Sequence, residues 1–163
     1  IALAALQAAD LAPEADAAEK GIREAAIVGR FQRCAAAPDC YVDTAHNAQA
    51  AEVLGATLAS LPVVPSLDLV VGMLSDKDPA AVMKALQDAL PSGTRCRWHF
   101  ASLDGPRALS AEVLRRQAGQ QGPVYPSVGL AMESARKAAG PGGRVVCFGS
   151  FLTAEAAIRH GHE

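Results

Sequence analysis

From residue 29 onward, segments that read as strands alternate with segments that read as helices, and this alternation admits few architectures. One strand segment, 67–73 (LDLVVGM), reads as a continuous apolar run, and 144–148 (RVVCF) reads as another strand. Successive side chains of a strand leave opposite faces of the sheet, so such a run needs cover above and below. Helices supply that cover. Residues 47–61 place Ala50, Val53, Leu54, Leu58 and Leu61 at helical spacing behind Asn47, a good N-cap. Asp78 followed by Pro79 opens a second helix, with Val82, Met83, Leu86 and Leu90 on its inner face. Ser110 opens a third, to about residue 117; residues 127–139 and 151–160 read as two more. Residues 95–100 alternate as a strand does, and 124–125 form a weak short one. The expected fold is α/β, a Rossmann-like, mostly parallel sheet with helices on both faces. A short hairpin precedes it, from residues 31–35 and 40–43 around a Pro38–Asp39 turn.

The 163 residues are one domain's worth and can bury a core unaided. Half are apolar but only 4% aromatic, which suits Ala-, Val- and Leu-rich helices on a sheet. A net charge of -2 with interspersed signs and no basic stripe argues against a nucleic-acid partner. Cys34, Cys40, Cys96 and Cys147 form no CxxC pair and have no histidine at ligand spacing. No metal site is therefore expected, and the four read as free thiols of a cytoplasmic protein, with Cys40 and Cys147 as strand fillers. Residues 1–10 are Ala-rich and helical, too short to span a membrane. Residues 13–20 read as a loop or short helix start, and 21–26 as another short helix. This opening carries little patterning of its own and fits the tail of a preceding domain. Ile1 is not an initiator residue, so the native chain is expected to begin upstream. His160 and His162 read as a polar tail.

In open sheets of this kind, ligands gather at the carboxyl ends of the strands. Residues 43–47, 72–78, 101–108 and 149–151 lie there. In DTAHN, Asp43 is placed to accept from ribose hydroxyls, and His46 stands at a helix N-terminus, where anions collect. An ordinary polar loop capped by Asn47 is the alternative. Arg30 is either a solvated surface group or a planar cation against an adenine ring or phosphate. Asp76 and Lys77 belong either to a solvated turn or to the cleft. Arg107 faces a substrate or pairs with an acid. Ser150 caps the last helix or hydrogen-bonds a ligand. No segment matches GxxxxGK[ST], no GxGxxG follows a strand, and there is no GxSxG.

Taken in order, GRFQ, YVDTAHNAQAAEVL, VVGMLSDKD, GPRAL and VVCFGSFLTAEAAI resemble the C-terminal domain of the folylpolyglutamate synthase/dihydrofolate synthase family, within the Mur ligase superfamily. The resemblance runs from Gly29 to about Arg159. It implies that residues 1–28 are the tail of a central ATPase domain, or linker helices, and that 29–163 are a Mur-ligase-type C-terminal domain. It implies an ATP-dependent ligase joining a dihydropteroate or tetrahydrofolate carboxylate to L-glutamate through an acyl phosphate. ATP and Mg are the implied cofactors, with the metal ligands mainly in the missing N-terminal ATPase domain. The fragment alone is then inactive, and the protein is a cytoplasmic monomer that uses neither nucleic acid nor membrane. Arg30, Asp43 and His46 are the implied nucleotide contacts, with His46 also at the reacting centre. Ser150, Lys77, Asp76 and Arg107 are implied on the substrate side. Ala48 stands where the family usually has Pro, and Thr44 where Val or Gly is commoner. The alternatives are a ligase domain for a peptidoglycan precursor and a non-catalytic α/β nucleotide-binding module. The ligase reading expects Arg30, Asp43 and His46 to converge on one rim.

Overall fold

A computed structural model describes residues 2–24 and 27–160. In chain order the elements are α1 (Ala2–Ala8), α2 (Ala15–Glu24), β1 (Gln32–Ala36), β2 (Asp39–Val42), α3 (Ala48–Ala59), β3 (Leu67–Val71), α4 (Pro79–Ala89), β4 (Cys96–Ala101), α5 (Ala111–Ala118), β5 (Val124–Tyr125), α6 (Val128–Ala139), β6 (Arg144–Phe148) and α7 (Phe151–His160). The six strands form one sheet in the order β1-β2-β6-β3-β4-β5. β1 pairs antiparallel with β2 as the expected hairpin, and every other pairing is parallel.

Helices cover both faces. On one, Leu54 and Leu58 of α3, Met83 and Leu86 of α4 and Leu114 of α5 pack on Leu69, Val71, Phe100, Val146 and Phe148. On the other, Ala131, Met132 and Ala135 of α6 and Ala154 and Ala157 of α7 pack on Val70, Val145 and Cys147. Neighbours along β3 and β6 thus enter different cores, which is why those segments carry so little polarity. Each fully buried Leu or Val contributes about 1.5–3 kcal/mol.

One expectation is corrected. Residues 15–24 are a single helix, where a loop or short helix start over 13–20 and another short helix over 21–26 were expected. Gly21 lies within it, where an added Cβ would meet open space, and Asp16 sits in the first turn, where the helix dipole favours an acid. Residues 25 and 26 and the tail residue His162 lie outside the described residues. The strand expected over 95–100 is β4, where His99 is buried, and Arg97 and His99 both reach Asp68 of β3.

The parallel strands β2, β6, β3 and β4 release the chain on one edge, at Asp43, Gly149, Gly72 and Ser102. β3 and β6 come unusually close there. Gly149 has a φ of 121°, and a Cβ on it would run into the Gly72 carbonyl oxygen. Only glycine permits that approach. The Thr153 hydroxyl of α7 donates to the same carbonyl at 2.7 Å, which ties the start of α7 to the end of β3.

Candidate functional site

Asp43 ends β2 and organises the corner beyond it. Its Oδ2 accepts the Phe31 N–H at 2.8 Å, and its Oδ1 accepts the Ala45 N–H at 2.7 Å. The first bond joins the entry of the hairpin to its exit; the second folds DTAHN into a tight turn. Phe31 has a φ of 42°, a backbone region costly for a bulky residue. Its ring stacks on Tyr41 with centroids 4.6 Å apart, and that contact together with the Asp43 bond holds it there. The neighbouring Arg30 is exposed, at the mouth of a cleft of about 440 Å³ lined also by Asp43, Asn47, Val53 and Thr57.

The turn sends His46 to the other side of the corner. The Thr44 carbonyl lies 2.8 Å from His46 Nδ1. A carbonyl only accepts, so Nδ1 carries the proton and Nε2 is left to serve as acceptor in the neutral ring. His46 lines a second cleft, of about 510 Å³, with Asp76, Lys77, Asp104, Arg107, Ser150 and Phe151. Leu74 and Ala108 bridge the two loops of this cleft, and the Ser75 N–H donates to the Arg107 carbonyl at 2.8 Å. Lys77 Nζ lies 2.8 Å from Asp76 Oδ2, and this hydrogen bond holds the Asp76 carboxyl below its ordinary value. Ser150 is buried; its Oγ accepts the Thr153 N–H at 3.0 Å and lies 2.7 Å from Thr153 Oγ1, so it caps α7.

Arg30 and Asp43 therefore line one cleft, while His46, Asp76, Lys77, Arg107 and Ser150 line its neighbour. Phe151 links them. The Arg30 guanidinium carbon lies 5.9 Å from the centre of its ring, and the His46 ring centre 6.3 Å. The Phe151 side chain is 62% exposed although it opens a helix packed on the sheet. Sequence reasoning singled out this segment for Ser150 and passed over Phe151. The available signal was an aromatic side chain at a strand end in a chain with few aromatics. Among the described residues, no three His, Cys, Asp or Glu side chains come together as a metal ion would need.

Residues 29–151 match the family described as Mur ligase, glutamate ligase domain. This chain belongs to that family. The Mur ligase match begins at Gly29, the residue before Arg30, and ends at Phe151. The dihydrofolate synthase/folylpolyglutamate synthase of Escherichia coli (strain K12) is 37% identical over 152 residues, 93% of this chain and 35% of that protein. The structure of E. coli FolC in complex with DHPP and ADP superposes with a TM-score of 0.84 at 35% identity, over 97% of this chain and 37% of that one. A bifunctional folylpolyglutamate synthase/dihydrofolate synthase with Mn, AMPPNP and L-glutamate bound also gives 0.84, at 31% identity, over 99% of this chain and 38% of that one. The chain thus spans little more than a third of the length of these relatives. Among the described residues, no helix is long and apolar enough to cross a membrane.

Proposed function

We propose that this Mur ligase domain is the C-terminal part of an ATP-dependent ligase that joins a pteroate or folate carboxylate to L-glutamate. The observation that carries the reading is the pairing of two unlike clefts across Phe151 on the carboxyl edge of the sheet. Relatives that hold ADP with DHPP, or AMPPNP with glutamate, support it.

The Arg30 cleft suits a nucleotide edge. Each Asp43 oxygen already accepts one backbone N–H, which fixes the carboxylate and leaves a lone pair on each oxygen for a ribose hydroxyl. Arg30 offers a planar cation to phosphate or base. ATP, when bound, supplies the phosphoryl group that activates the carboxylate. The metal ligands and phosphate cradle come from the N-terminal ATPase domain, with residues 1–28 as its tail or linker and 29–163 as the C-terminal domain.

The second cleft suits an amino acid. Lys77 and Arg107 attract carboxylates and Asp76 attracts an ammonium, so a ligand with both signs finds both opposites there. Ser150 borders this side. His46, its tautomer held by Thr44, keeps Nε2 ready to take or share a proton where the two clefts meet. Domain closure over the edge excludes water from the activated carboxylate. In this reading the protein is a cytoplasmic monomer.

The test is ADP release by the full-length protein. It is expected to require both a pteroate-type substrate and L-glutamate, and release without that double requirement rejects the proposal. The 163-residue chain alone is expected to give no turnover.

A further inference from the structure

The β1–β2 hairpin places two thiols side by side. In its ladder Arg33 faces Tyr41 and Ala35 faces Cys40, with a register shift between Arg33 and Ala35. Cys34 is the extra residue of a β-bulge, so Cys34 and Ala35 together oppose Cys40. In a regular strand residues 34 and 35 would face opposite sides. Here both pack on the core cluster that contains Cys40 and Cys147. The Cys34 thiol donates to the Cys40 carbonyl oxygen at 3.5 Å, which sets the Cys34 sulfur against the backbone of Cys40. Ala35 directly opposes Cys40, and Cys34 is its immediate neighbour, packed on the same core cluster. A disulfide spans about 4.4–6.8 Å between Cα atoms.

The two sulfurs differ in access. Cys34 is partly exposed, whereas Cys40 is fully buried beneath the hairpin. They differ in acidity too. The neighbouring Cys40 side chain lowers the Cys34 thiol to about 7 against the effect of burial, and the Arg136 guanidinium of α6 adds to the lowering. The Cys40 thiol is pushed up, first by its neighbour Cys34 and then by burial. Cys96 is pushed up to about 11 by burial. One thiol therefore attacks, and its neighbour is placed to resolve.

We propose that Cys34 and Cys40 are a reversible modification site, a dithiol that a peroxide closes to a disulfide within the β1–β2 hairpin. The Cys34 thiolate attacks one peroxide oxygen, the O–O bond breaks, and Cys34 becomes a sulfenic acid as hydroxide leaves. With the Cys34 charge gone, Cys40 loses its proton more readily. Its sulfur attacks Cys34, the S–S bond forms, and the sulfenic oxygen leaves as water. Two thiols are oxidised by two electrons, and hydrogen peroxide is reduced to two waters. The pair lies between Phe31 and Asp43, whose hydrogen bond shapes the Arg30 cleft. The proposal does not depend on what that cleft binds.

The test uses the reduced full-length protein, treated with equimolar hydrogen peroxide, alkylated under denaturing conditions and mapped by peptide mass spectrometry. The peptide holding Cys34 and Cys40 is expected to lose two hydrogens and escape alkylation, then to recover both thiols with dithiothreitol. Cys96 and Cys147 are expected to stay alkylatable, and Cys96→Ser to behave as the parent. In Cys40→Ser, Cys34 is expected to stop as a dimedone-reactive sulfenic acid. Two results in the parent protein overturn the proposal: Cys34 unreacted while Cys96 is oxidised, or Cys34 over-oxidised while Cys40 remains alkylatable.

Discussion

Phe151 shows how one side chain can join two sites that its neighbours keep apart. An aromatic ring left in water gains nothing from the hydrophobic effect, and this one lies against a guanidinium and an imidazole instead. If it aligns Arg30 with His46, Phe151→Ala in the full-length protein should lower kcat by about tenfold, roughly 1.4 kcal/mol. Phe151→Tyr should restore most of that loss while KM for glutamate stays near the parent value. A steady-state comparison of the three proteins checks this. Thr44 tests the opposite kind of residue. It is 1% exposed, and its hydroxyl has no hydrogen-bond partner among the described residues. A buried unpaired hydroxyl carries its desolvation cost uncompensated, so Thr44→Val should stabilise the fold by about 1 kcal/mol. Urea unfolding of the 163-residue chain measures it.

At the scale of elements, helix starts were the most legible feature. Asn47, Asp78 and Ser110 were each expected as caps, and each accepts a backbone N–H three residues ahead, as Ser127 also does at the start of α6. A cap works through a few consecutive residues, so sequence suffices to place it. Asp78→Ala should cost about 1 kcal/mol, with Pro79 still holding the first turn of α4. Thermal unfolding should show the drop without loss of helical signal at low temperature. The hairpin was legible in outline from its Pro–Asp turn. Its bulge was not, because the register shift depends on which β2 residues β1 meets. The pairing of Cys34 with Cys40 was hidden for the same reason.

At the scale of the whole molecule, one buried polar network spans the sheet. Asp68 is 0% exposed; Arg97 donates to both of its oxygens, and His99 Nε2 lies 2.9 Å from its Oδ1. The other His99 nitrogen reaches Tyr125, whose hydroxyl donates to Ser134 of α6. Burial alone would raise the Asp68 carboxyl; the His99 and Arg97 hydrogen bonds outweigh it and bring the group below its ordinary 3.8. A depressed carboxyl stabilises the fold above the unfolded value, and that contribution disappears as pH falls through the folded one. Stability should therefore decline below about pH 4 through Asp68. Asp68→Asn should cost about 3 kcal/mol at neutral pH and flatten the acid part of the profile. Denaturant midpoints from pH 3 to 7 check both.

That network also marks the boundary of what a linear reading could reach. The order of elements, the double-sided sheet, the caps and the edge holding the site all follow from local composition and spacing, which any short stretch of chain carries within itself. LDLVVGM read as apolar although Asp68 sits in it, because its partners Arg97 and His99 become neighbours only when β4 pairs beside β3. The split of Arg30 and Asp43 from His46, and the ring of Phe151 between them, likewise came from packing. The DTAHN turn and the start of α7 meet only after β2 and β6 align, and contacts across a sheet join residues that share no stretch of sequence.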